Sequence, residues 1–211
     1  MPSGIKNNIV EASRMDATKR KGMAIEVMKE LPPNTIMFMT GTGEGKEKPA
    51  YNALVQRIKE LGLEDRVFLV GRVPDRLMGP LCSLPHGTGE RQFRLATFLI
   101  TSRMEGWGMA AQDSVVGGLP LVASKYTPVG TYLREKDAAA IVVDDDRASK
   151  FAECLRFLID HPEGARAMAA RGQEVTKDFT WKALTLHFAE EVARRLMLGA
   201  LGAFPTLSGG E

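Results

Sequence analysis

The chain has 211 residues, of which 44% are hydrophobic and 26% charged, with a formal net charge of +2. That is the composition of an ordinary globular domain with one sizeable core, and so near-balanced a charge gives no global field for nucleic acid or a membrane surface. No apolar run approaches the roughly 18 residues of a membrane span, MPSGIKNN lacks a signal-peptide core, and Cys82 and Cys154 fit neither a metal spacing nor a disulfide framework, which points to a reduced, cytoplasmic setting.

The order of predicted elements is strand, helix, strand, helix, strand. Asn8–Ser13 reads as a short strand entering a polar loop, and Gly22–Leu31 as a helix with Ala24, Val27, Met28 and Leu31 on one face, stopped by Pro32-Pro33. Thr35–Thr40 is an apolar strand followed by the glycine-rich Gly41–Gly45. Tyr51–Leu61 is an amphipathic helix, and Arg66–Val70 a third strand leading to Gly71–Pro74. Asp75–Leu95, with Pro80, Pro85 and several glycines, reads as a long irregular connection. Leu95–Thr101 is the fourth strand, and Gly108–Val116 is its helix, closed by Gly117-Gly118. Leu119–Ser124 and Ala140–Val143 complete the strands, and helices follow over Arg147–Asp160, Pro162–Lys177 and Thr180–Leu198, before a loose tail over Gly199–Glu211.

Strands that are apolar throughout, alternating with amphipathic helices, predict an α/β domain: a parallel sheet of about six strands with both faces covered. Ligands of such sheets bind beyond the strand C-termini. The loops of interest are therefore Ser13–Lys21, Gly41–Gly45, Gly71–Pro74, Ser102–Gly108 and Lys125–Thr131.

Two of these loops carry candidate chemistry. Arg14, Lys19, Arg20 and Lys21 place four cations within eight residues just before a helix, with Asp16 available to hold one of them. Such a group suits phosphate oxygens, although a solvated basic loop is the commoner meaning of a charge cluster. In Glu105-Gly106-Trp107-Gly108-Met109, an acid sits on a glycine turn that opens a helix, and Asp113 follows eight residues later. Glu105 can accept from sugar hydroxyls or cap the helix. The amides of Trp107, Gly108 and Met109 can cradle a diphosphate. Asp113 can accept ribose hydroxyls or face solvent, and Trp107 can stack on a ligand or pin the turn. A nucleotide sugar combines the hydroxyls and the charge these groups would recognise.

The two loops together resemble retaining glycosyltransferases of the two-domain GT-B type, family four. Glu105-Gly106-Trp107-Gly108-Met109 with Asp113 is similar to their Glu-(seven residues)-Glu signature. Ser13-Arg14-Met15-Asp16-Ala17-Thr18-Lys19 is similar to their basic loop, in a form closest to sucrose-phosphate synthases. Gly117–Ser124 resembles the strand after the signature helix, and Phe179-Thr180-Trp181 the start of the final helix. The resemblance spans most of residues 8–195 and implies a single Rossmann-like domain, the donor-binding half, over residues 1–198. The N-terminal acceptor domain is absent from the chain, and Pro2-Ser3-Gly4-Ile5 resembles the segment that would join the two.

By that resemblance, Arg14 and Lys19 bind the donor diphosphate and Glu105 the sugar hydroxyls. Gly106, Trp107, Gly108 and Met109 contribute backbone contacts, Asp113 holds the ribose, and Gly71, Arg72 and Val73 lie near the base. A UDP- or GDP-linked sugar is the implied partner, and no metal or other cofactor is implied. Two departures stand out: the second acid is Asp113, one methylene shorter than glutamate, and Lys125–Gly130 replaces the family's glycine-pair loop. The alternative reading is a degenerate nucleotide-binding or structural domain without catalysis. Outside the pattern, His86 lies in a loop, His161 and His187 on helices, and Gly41–Lys46 lacks the Ser or Thr that a phosphate-binding P-loop requires.

Overall fold

The computed structural model describes residues 6–41, 48–74, 94–179 and 181–200. Among them, strands β1 (Asn7–Glu11), β2 (Thr35–Met39), β3 (Val67–Leu69), β4 (Leu95–Ile100), β5 (Leu121–Ser124) and β6 (Ala140–Val143) form one six-stranded sheet in the order β3-β2-β1-β4-β5-β6. Every neighbouring pair is parallel. The fold is thus the expected α/β, Rossmann-like one.

The chain builds outward from β1 to β2 and β3, then returns to place β4 on the other side of β1. The loops after β1 and β4 therefore diverge at the topological switch, where such sheets take their ligands. These are the loops that carry the cations and Glu105.

In β1, β2, β4 and β5 residues on opposite faces are both buried, as the unalternating apolar runs require. On one face Ile9, Met37, Leu99 and Val122 pack with α1 (Lys21–Lys29) and α5 (Ala148–Asp160) through Ala24, Met28, Phe151 and Leu155. On the other, Val10, Phe98, Leu121 and Ala123 pack with α3 (Met109–Val116) and α4 (Pro128–Glu135) through Ala111, Val115, Val129 and Leu133. Helix α2 (Lys48–Glu60) buries Ile58 beside Val67 on the first face. In α6 (Pro162–Thr176), Gly172 lies so near β6 that a Cβ there would stand 2.1 Å from that of Ala139.

Several boundaries differ from the sequence reading. β1 stops at Glu11 instead of Ser13, and α1 opens at Lys21 because residues 17–19 form a separate 3₁₀ turn. Helix α4 was not anticipated, and the reason is its composition. Pro128 and Gly130 read as loop punctuation, but the proline occupies the first turn, where its missing N–H costs nothing. Gly130 lets the helix approach β5, since a Cβ would meet that of Ala123 at 2.9 Å. The C-terminus of α3 is as expected: Gly117 caps it and Gly118 follows at φ 88°. Most of the long connection before Leu95, His86 and the Gly199–Glu211 tail beyond Ala200 lie outside the described residues.

The chain divides into two compact units, Met1–Thr176 and Lys177–Glu211. The second contains α7 (Trp181–Ala200), on which Phe188, Leu196 and Met197 are exposed and Glu191 pairs with Arg194 and Arg195. Among the described residues, no helix is long and apolar enough to cross a membrane.

Candidate functional site

The loop after β1 folds around Asp16. Its carboxylate accepts from the Thr18 amide at 3.0 Å and from the Thr18 hydroxyl, capping the 3₁₀ turn Ala17–Lys19. Partial burial works against its charge, but the Thr18 hydrogen bonds and the nearby Arg14 and Lys19 outweigh it, so the carboxyl titrates below its ordinary value. Arg20 then turns the chain at φ 51° and ψ 40°, a left-handed conformation that costs a non-glycine residue roughly 1–2 kcal/mol.

This local geometry sends the four cations to four different acids. Arg14 reaches Asp16 at 3.4 Å on the surface, its side chain 77% exposed. Lys19 points inward, with Nζ 2.7 Å from Glu105 Oε1 and 3.1 Å from the Met104 carbonyl. Arg20 Nη1 donates to Asp146 at 2.8 Å. Lys21 is buried against Glu11 and donates to the Thr40 carbonyl at 2.8 Å. A wholly solvated basic loop is therefore not what forms: three of the four cations have side chains no more than 8% exposed.

Glu105 does not cap the helix that follows it. Ser102 Oγ donates to the same Oε1 at 2.8 Å, so Lys19 and Ser102 fix the carboxylate between them. The N-cap of α3 is Gly108, which makes no side-chain capping bond. Its φ of 103°, with Thr127 and Val129 carbons 3.0 Å from where a Cβ would stand, explains why glycine is needed there. The first amides of α3, which opens four residues after Glu105, have no acceptor within the helix and give that end a partial positive charge. Trp107 pins this turn: Nε1 donates to Gln112 at 2.7 Å, the ring lies 6.0 Å from that of Tyr132, and its carbonyl accepts from the Val129 amide.

The remaining predicted positions lie on the turn, on α3 and after β3. Gly106 is exposed on the turn, and Met109 and Asp113 are exposed on α3. Gly71, Arg72 and Val73 follow β3, three strands from β4, where Gly71 adopts φ 72° and its carbonyl accepts from the Gly41 amide at 2.8 Å. Arg72 is exposed and Val73 half-buried. Among the described residues no group of three or more His, Cys, Asp or Glu side chains is placed to hold a metal ion.

Sequence reasoning missed Glu11, Ser13, Ser102 and Asp146 as parts of this arrangement. Glu11 did leave a signal, an acid inside an otherwise apolar strand; it is 1% exposed and accepts from Ser13 Oγ at 2.5 Å. Asp146 left none, since only folding brings it 126 residues back to Arg20. The Arg20 hydrogen bond and charge hold the Asp146 carboxyl below its ordinary value. That tie is therefore complete at neutral pH and is lost only as pH falls through the depressed value.

Comparison with known proteins gives the family and the fold. Residues 4–175 match the family model for glycosyl transferases group 1. A D-inositol 3-phosphate glycosyltransferase of Rhodococcus jostii is 25% identical over 164 residues, covering 75% of this chain and 33% of that protein. Among solved structures, Anabaena HepE in complex with UDP and glucose superposes with a TM-score of 0.76 at 20% identity, over 90% of this chain and 49% of that one. Sucrose-phosphate synthase from Thermosynechococcus elongatus gives 0.77 at 18% identity, over 92% and 46%. The chain thus spans about a third of that curated relative and about half of those solved chains. With the match covering the whole sheet and both candidate loops, the chain belongs to the glycosyl transferases group 1 family.

Proposed function

We propose that this chain is the donor-binding domain of a retaining glycosyltransferase. It holds a UDP- or GDP-linked hexose while the full protein transfers the hexosyl group to the hydroxyl of an acceptor, such as a sugar or sugar phosphate. The single observation that carries the reading is the largely buried Lys19–Glu105 pair at the switch point, on the turn that leads into α3. It offers a cation for a diphosphate and a carboxylate for sugar hydroxyls, as a nucleotide sugar demands.

In this reading Lys19, with Arg14 from the exposed part of the same loop, neutralises the departing nucleoside diphosphate. Glu105 orients the hexose through its hydroxyls, and the backbone of Gly106, Trp107, Gly108 and Met109 lines the sugar and phosphate. Asp113 receives the ribose, and Gly71, Arg72 and Val73 flank the base. The transfer proceeds by front-face attack, with no metal, through an oxocarbenium-like state whose leaving group the cations and the helix dipole stabilise. Support from relatives is consistent: HepE was solved with UDP-glucose, and similar proteins include a mannosylfructose-phosphate synthase.

A nucleotide-binding domain without catalysis is the second reading. What favours it is the loop after β5, whose Gly130 is taken up by packing against Ala123 within α4. The test is transfer by the full-length protein, with NMR of the product anomer. An axial donor linkage retained in the product, from UDP-glucose or GDP-mannose, is the expected outcome. Inversion would refute the retaining mechanism, and nucleotide binding without transfer to any sugar or sugar-phosphate acceptor would favour the second reading.

A further inference from the structure

We propose that Arg20 is a positioning residue that holds Lys19 against Glu105 by locking together the loops after β1, β4 and β6. The proposal rests on the donor-site reading above. The first observation is conformational. Arg20 occupies a left-handed position that glycine fills without strain, and it makes no side-chain cap to the helix it opens. An arginine kept there against its backbone preference points to a task for its side chain.

The second observation is where that side chain goes. Nε donates to the Thr101 carbonyl, Nη2 to the Ser102 carbonyl at 3.4 Å, and Nη1 to Asp146 at 2.8 Å, while the guanidinium lies 5.9 Å from the Tyr126 ring. One planar fork thus spans the end of β4 and the loop after β6. Its side chain is 8% exposed. A lysine, with a single point of attachment, could not make the same set of bonds.

The third observation is that the bonds converge on the Lys19–Glu105 pair from both ends. Thr101 Oγ1 shares its one proton between the Lys19 carbonyl at 3.1 Å and the Arg20 carbonyl at 3.2 Å, and the Arg103 amide donates to the Thr18 carbonyl at 2.6 Å. Ser102, whose carbonyl receives Arg20 and the Ser124 hydroxyl, uses its own hydroxyl to hold Glu105. The residues Arg20 grips are those that set the backbone of Lys19 and the carboxylate of Glu105. Without the guanidinium, the loops after β1 and β4 keep these bonds but lose the clamp that ties both of them to the loop after β6.

The test applies two readouts to two variants of the chain, Arg20→Gly and Asp146→Ala. Glycine accepts φ 51° freely, so Arg20→Gly removes the guanidinium without adding backbone strain. The first readout needs no nucleotide: trace acetylation of Lys19 by acetic anhydride, measured by peptide mass spectrometry against exposed Lys29 as reference. Lys19 is expected to react about fivefold or more faster in Arg20→Gly, the loss of protection that a local opening of this size gives, with Asp146→Ala moving the same way to a smaller extent. The second readout is calorimetry with UDP, where the dissociation constant is expected to rise about tenfold, equivalent to ~1.4 kcal/mol.

Unchanged Lys19 reactivity in a folded Arg20→Gly chain overturns the proposal, whatever UDP does. Should Arg20→Gly fail to fold, Asp146→Ala carries the decision, since Asp146 is 40% exposed on a surface loop. Raised Lys19 reactivity in a protein whose wild type binds no UDP supports the positioning role and refutes the donor-site reading instead.

Discussion

Replacing Lys21 with methionine is expected to destabilise the domain by about 3–5 kcal/mol, the cost of leaving one member of a buried ion pair behind. Lys21 and Glu11 have side chains 3% and 1% exposed, so neither charge can turn to water when its partner is lost. Among the described residues, the Glu11 carboxylate of Lys21→Met keeps only the Ser13 hydroxyl, and the Thr40 carbonyl loses its Lys21 donor. Glu11→Leu alone strands the ammonium in the same way. The double variant Glu11→Leu/Lys21→Met removes both charges and fills the space with apolar groups, and should recover most of the loss. Urea unfolding of the four proteins measures this cycle. Single losses below about 1 kcal/mol would show that the pair is solvated, as surface pairs are.

The second large effect is on ligand selectivity. Lys19→Ala should weaken UDP and UDP-glucose alike, by about 10–100-fold, the range for a charge-assisted hydrogen bond. The loss goes beyond one contact, because the partly buried Glu105 carboxylate would then face the diphosphate with its counter-charge gone. Glu105→Ala should instead separate the two ligands. UDP binding holds or tightens, because Lys19 is released to the phosphates, while UDP-glucose weakens relative to UDP. Parallel titrations of both variants with both ligands give the comparison. Equal weakening of UDP by Glu105→Ala and Lys19→Ala would mean that Glu105 acts on the fold of the loop and not on the sugar.

The architecture was legible because its interior strands are buried on both faces. Thr35–Met39, Leu95–Ile100 and Leu121–Ser124 are apolar without alternation, and the sheet order places them at its interior. Helices with a clear apolar stripe, such as Ala148–Asp160, were equally plain. Helix Pro128–Glu135 was not, because its proline and glycine serve packing and helix initiation while carrying the same local signature as a turn. Within the site, Lys19 and Glu105 could be named from their loops. Their direct contact could not, since it joins residues 86 apart.

The basic run shows the limit most clearly. Arg14, Lys19, Arg20 and Lys21 look interchangeable as a charge cluster. A single 3₁₀ turn and one left-handed residue distribute them to a surface acid, the Glu105 carboxylate, a neighbouring loop and the buried end of β1. Those destinations depend on backbone angles of consecutive residues, which charge alone does not encode.

The most direct test of the donor-site account is calorimetric titration of this chain with UDP, GDP and ADP and their sugars. The account predicts saturable one-to-one binding of a uridine or guanosine ligand, abolished or strongly weakened in Lys19→Ala. An absence of binding by the folded wild-type chain to every one of these ligands would contradict it.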